Sequence, residues 1–119
     1  MAIRVKRIYE PASPSDGTRI LVDRLWPRGI SKENAKIEFW ARDLAPSDDL
    51  RKWYGHEPDK WKKFKSRYFK ELDNNSAALA ALSPYLHADR VTLVFSSREE
   101  KLNNATALKE YIESRQHEE

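Results

Sequence analysis

The spacing of hydrophobic positions changes several times along the chain. In "AIRVKRIY", Ile3 and Val5 alternate with Arg4 and Lys6, the two-residue period of a strand with one wetter face, which places it toward a sheet edge. "EPASPSDG" then supplies two prolines and a glycine that redirect the chain. In "TRILVD", Ile20, Leu21 and Val22 run without alternation, as in a strand covered on both faces. "KIEFWA", with Ile37 and Phe39 on one face, suits a short third strand or a single helical turn.

From residue 46 the period lengthens. "PSDDLRKWYG" predicts a short helix, with Ser47 placed to cap it, Asp48 and Asp49 at its positive end and Gly55 to close it. In "EPDKWKKFKSRYFKELD", Pro58 suits the first helical position. Trp61, Phe64, Tyr68 and Leu72 recur there at helical spacing, which predicts one buried face with Lys62, Lys63 and Lys70 in water. "SAALAALSPYL" predicts a further helix that Pro84 ends or kinks, "RVTLVFSS" a second buried strand and "NNATALKEYIESR" a closing helix. Strands alternating with helices over 1–119 predict one α/β domain, a small, largely parallel sheet with helices packed on its faces.

That architecture directs attention to the carboxyl ends of the strands, where ligands of open α/β sheets bind. Two polar clusters fall there, "DRLWPRG" after one buried strand and "SSREE" after the other. Trp26-Pro27-Arg28-Gly29 fits a β-turn with proline second and glycine fourth, and Ser31 is placed to cap a short turn of helix in "SKENA". With Arg24, Arg28 and Lys32 beside such a turn, a phosphate or carboxylate can be held by charge-assisted hydrogen bonds. The expected ligand-binding set is Asp23, Arg24, Trp26, Arg28, Lys32, Ser96 and Arg98. The competing explanation is structural, an Asp23–arginine pair with Trp26 in the core.

Catalytic candidates are few. Asp23 is a possible general base, but neighbouring arginines favour the charged carboxylate, so positioning Arg24 or Arg28 is its expected task. His56, just past a helix-ending glycine, suits a loop residue better than a catalyst. For "SSREE", Ser97 and Glu100 have capping-box spacing, with Asn103 or Asn104 as alternative caps. His87 and His117 are incidental, and three scattered histidines do not make a zinc site. With Gly17, Gly29 and Gly55 the only glycines, neither a P-loop nor a dinucleotide fingerprint can be written.

Composition narrows the classes further. Of 119 residues, 39% are hydrophobic and 34% charged, with no cysteine; the chain is too apolar for disorder and has no disulfides or thiol chemistry. The N-terminal "MAIRVKRIYE" lacks the apolar core of a signal peptide, so the expectation is a cytoplasmic chain without a membrane partner. Net charge is only +3, from 22 basic and 19 acidic residues. Residues 51 to 70, however, carry eight basic side chains against Glu57 and Asp59. Lys62, Lys63 and Lys65 on the basic helix 59–73 therefore offer a nucleic-acid alternative to the anion crevice.

Three segments taken in order, "VDRLWPRGISKE", "DLAPSDDLRKWYGHEPDKWKKFKSRYFKEL" and "SSREEKLNNATALKEYI", cover nearly the whole chain and resemble the YeaO-like family of bacterial domains of unknown function, number 488. The resemblance implies a small cytoplasmic α/β protein and brings no reaction with it. Three uses of the chain follow: a phosphate- or nucleotide-like ligand in the strand-end crevice, a nucleic-acid module on the basic helix, or a binding adaptor whose crevice has no catalytic residue.

Overall fold

The structure, a computed structural model, describes residues 2–116. Four strands, β1 (Ala2–Arg7), β2 (Thr18–Leu21), β3 (Phe39–Trp40) and β4 (Arg90–Phe95), form one sheet in the order β1-β4-β2-β3. Every pairing is parallel, with Ile3 opposite Val91, Ile20 opposite Leu93 and Leu21 opposite Trp40. The two unalternating strands, β2 and β4, are the central pair, and the alternating β1 lies at an edge. This is the arrangement their apolar patterns predict.

Five helices accompany the sheet: α1 (Lys32–Ala35), α2 (Asp48–Tyr54), α3 (Trp61–Asp73), α4 (Ser76–Leu82) and α5 (Asn104–Gln116). The pleat sends Ile20, Val22, Val91, Leu93 and Phe95 into the main core, where Phe64, Tyr68, Leu72, Ala105 and Leu108 from α3 and α5 meet them. Leu21 and Val94 point the other way, into a smaller cluster with Ile8 and Ala35, flanked by Trp26, Ile30, Ile37 and Trp40. Both faces of β2 and β4 are thus covered, one by long helices and the other by α1 and its flanking loops.

Helix ends follow the predicted chemistry closely at α2. The Ser47 hydroxyl accepts the Leu50 N–H, and Gly55 closes the helix in the left-handed conformation. Pro58 opens a 3-10 turn, Pro58–Lys60, so α3 itself begins three residues later than its proline suggests. Of the predicted stripe, Phe64, Tyr68 and Leu72 are fully buried, whereas Trp61 is half-buried at the helix start, stacked at 5.8 Å on Phe64. Pro84 lies in the 3-10 turn Ser83–His87 that follows α4 and ends it.

The smaller core face holds a polar group that the hydrophobic pattern did not foretell. Asp16, 3% exposed, accepts from Arg19, 4% exposed, at 2.7 Å, and from Lys6 at 3.0 Å. Arg19 also donates to the Ala35 carbonyl. Burial alone would raise the Asp16 pKa, but hydrogen bonds from the Ser13 N–H, Lys6 and Arg19 outweigh it and hold the carboxyl below its ordinary value.

Candidate functional site

The carboxyl ends of β2 and β4 are joined through one carboxylate. Asp23 Oδ2 accepts the Ser96 N–H at 2.8 Å and the Ser96 hydroxyl at 2.7 Å. Its Oδ1 accepts Asn104 Nδ2 at 3.2 Å, and the same amide donates to the Val22 carbonyl. The Asp23 carbonyl in turn accepts the Trp40 indole N–H at 2.7 Å. Among the described residues no arginine pairs with Asp23, which corrects the expectation that it positions Arg24 or Arg28. The sequence concealed this because Ser96 and Asn104, the actual donors, are brought to Asp23 only by the pairing of β2 with β4 and the placing of α5.

The arginines of the opening cluster go separate ways. Arg24 turns toward the start of α2, where Nη2 donates to the Pro46 carbonyl at 3.2 Å and Nε lies 3.9 Å from Asp48 Oδ1. There it lines a cleft of about 140 Å³ with Asp43, Ser47, Glu71 and Asn75. Trp26 packs edge-on against Trp40 at 5.4 Å and donates its indole N–H to the Ile30 carbonyl, contacts that serve the fold. Pro27 is buried, and the turn closes around Arg28 and Gly29, one residue later than expected, with Gly29 at φ 77° in the region that favours glycine. Ser31 caps α1 as predicted, leaving Lys32 exposed at its first position.

Arg28 and Arg98 are exposed, and among the described residues neither side chain makes a hydrogen bond or ion pair. Their loops are nevertheless held in place. Arg7, the last residue of β1, donates from Nε to the Ser97 carbonyl at 2.9 Å and from Nη2 to the Ser96 carbonyl at 3.3 Å. Its guanidinium lies 5.1 Å from the Tyr9 ring centroid, and the Tyr9 hydroxyl donates to the Arg28 carbonyl at 3.0 Å. Arg7 and Tyr9, which no motif in the sequence marks, thus connect the loops after β1, β2 and β4. The sequence signal for them was slight: an arginine and an aromatic just past an edge strand.

Around the second cluster, the Ser97 hydroxyl accepts the Glu99 N–H in a local turn. Asn103, fully buried, caps α5 in place of Ser97 by accepting the Thr106 N–H at 2.9 Å. Backbone N–H groups of Lys101 and Leu102, helped by nearby His56, hold the Glu99 pKa below its ordinary value. Burial, with the Glu99 charge nearby, pushes the Tyr54 phenol up to about 12, and its hydroxyl donates to the Leu102 carbonyl. His56 is exposed, in a left-handed turn at φ 56°, with its ring 5.4 Å from Tyr54. His87 is exposed, and His117 lies outside the described residues. Among the described residues no group of three or more histidines and carboxylates gathers as a metal would require.

On α3, Lys62 and Lys63 are exposed, while Lys65 pairs with Glu110 at 2.9 Å and lies over the Trp61 ring. Only two of the three lysines expected to meet nucleic acid are therefore open to a partner. No helix of the described residues is long and apolar enough to cross a membrane.

Comparison with known proteins agrees with the three-segment resemblance. An uncharacterized protein of Mycobacterium tuberculosis is 42% identical over 113 residues, 95% of each chain. Another from Mycobacterium bovis matches to the same extent, and the uncharacterized protein YeaO of Escherichia coli is 37% identical over 114 residues, 96% of this chain and 99% of its own. No solved structure matches. A family model described as the inactive DUF488-N3 subclade matches residues 2–119; with the strand-end loops and the central β2–β4 pair inside that span, the chain belongs to this subclade of the YeaO-like proteins.

Proposed function

We propose that the protein is a non-catalytic binding module that receives a small phosphate-bearing or nucleotide-like anion at the carboxyl ends of β1, β4 and β2. The observation that carries the reading is a division of labour. Asp23, the acid best placed for proton transfer, has both oxygens occupied by Ser96 and Asn104, whereas Arg28 and Arg98 stand on tethered loops with their side chains unengaged among the described residues. A carboxylate committed to three donors serves the framework, and guanidinium groups already presented to water lose little when they meet a phosphate.

Lys32, close in sequence to Arg28, adds a third cation, and the Tyr9 ring beside Arg7 adds an apolar, partly exposed surface to the same end. The description of the subclade as inactive supports a role without a reaction. Thermal melting with inorganic phosphate tests the reading. A ligand at a hundred times its dissociation constant stabilises by about 2.7 kcal/mol, so the melting temperature should rise with phosphate or a nucleotide. Arg28→Met with Arg98→Met should erase that rise while leaving the unliganded protein as stable as before. A rise that survives both substitutions would refute it.

A further inference from the structure

A second surface, remote in sequence from the strand-end loops, has its own chemistry. Between α2 and α3 runs a groove of about 570 Å³ lined by Ser47, Asp49, Leu50, Trp53, Arg67, Lys70 and Glu71. Trp53 is half-buried in it, with the Arg67 guanidinium 4.3 Å and the Lys60 ammonium 5.1 Å from its ring centroid. Lys63, Arg67 and Lys70 are spaced by four and three residues, so they form one ridge of α3 about 10 Å long.

The ridge is electrostatically open. Lys63 and Lys70 are exposed and engage no acid among the described residues, and the contact that Arg67 makes is with the Trp53 ring. On the opposite side the Glu71 carboxylate is held by the Ser47 N–H at 2.9 Å and hydroxyl at 2.6 Å, which leaves Asp49 as the acid facing the cations. A row of cations beside an aromatic ring matches a partner that alternates negative charge with flat apolar groups. An acidic peptide supplies the charge without the flat groups. Duplex nucleic acid keeps its bases stacked and out of reach of a ring set in a groove.

We infer that the α2–α3 groove binds single-stranded nucleic acid, with Lys63, Arg67 and Lys70 on phosphates and the Trp53–Arg67 stack as the platform for a base. Fluorescence anisotropy of a short labelled oligothymidine with the full chain, over a series of salt concentrations, tests this. Three neutralised phosphates give a slope of log affinity against log salt of about −2. Lys63→Gln, Arg67→Gln and Lys70→Gln together should abolish binding while the protein stays folded, the melting temperature falling only by the small contribution of the Arg67–Trp53 contact.

Trp53→Leu should weaken binding on the order of tenfold or more through the lost stack. Arg28→Met with Arg98→Met should leave it unchanged, which keeps this surface distinguishable from the strand-end site. Absence of binding at low salt by the folded protein would overturn the inference. So would affinity that survives the triple substitution, affinity that disappears with Arg28 and Arg98, or equal binding of polyglutamate or of a duplex of the same length.

Discussion

Asp23 at the end of β2 accepts both the backbone N–H and the hydroxyl of Ser96 at the end of β4. Two parallel neighbours are thereby pinned at the point where their chains diverge, and Asn104 fastens the start of α5 to the same carboxylate. The group that the sequence offers as a general base is a clamp.

Asp23→Ala should therefore destabilise the fold. Loss of the acceptor leaves a partly buried Ser96 N–H without a partner and the Asn104 amide with only the Val22 carbonyl, a cost of about 1–3 kcal/mol. Urea unfolding with an unchanged m-value is the check, and Asp23→Asn, which keeps one acceptor oxygen, should cost less.

Arg24 and Arg28 should respond in opposite ways. Arg24 satisfies the Pro46 carbonyl and faces Asp48 at the head of α2, so Arg24→Met should lower stability by about 1 kcal/mol and leave any phosphate-induced rise in melting temperature intact. Arg28→Met should do the reverse. If both variants behave alike, the two side chains share a role that their different contacts do not explain.

The buried Asp16–Arg19 pair sets a pH dependence. The folded-state pKa of Asp16 lies below its ordinary value, so its contribution to stability is present above about pH 4 and is lost as pH falls through the folded value. Asp16→Asn should cost about 3–5 kcal/mol at neutral pH, because Arg19 is left buried without its counter-charge. The acid limb of stability against pH should also flatten. It should flatten only in part, since Asp73 and Glu99 have lowered values too.

Two glycines separate steric from conformational cost. Gly17 has φ 65°, and a Cβ there would run into the carbonyl oxygen of Arg90 at the start of β4; Gly29 has φ 77° but open space around it. Gly29→Ala should cost about 1 kcal/mol from backbone strain alone. Gly17→Ala should cost clearly more, measured by the same urea titration.

Elements with strong local signatures were legible in the sequence. The apolar runs at Ile20–Val22 and Leu93–Phe95 located the central strands because burial on both faces leaves few polar positions, and Thr92 beside the second is buried with its hydroxyl donating to the Asp16 carbonyl. Ser47 and Gly55 bounded α2 because capping is local chemistry. What the sequence hid was non-local. Asp23 meets Ser96 across 73 residues, Arg7 reaches the Ser97 carbonyl across 90, and only the strand order decides such meetings. Arg24 and Arg28, four residues apart, read as one cluster, but Trp26 between them packs against the second core face and Pro27 is buried, so the two side chains meet different surroundings.

The most direct measurement of the strand-end site is a phosphate titration of the protein, following arginine side-chain Nε–H resonances by two-dimensional NMR. If the site lies where β1, β4 and β2 end, Arg28 and Arg98 should shift together and saturate with one dissociation constant, while the buried Arg19, paired with Asp16, stays unmoved. Shifts centred on Arg67 with Arg28 and Arg98 silent, or no saturable shift at either arginine of the strand ends, would contradict it.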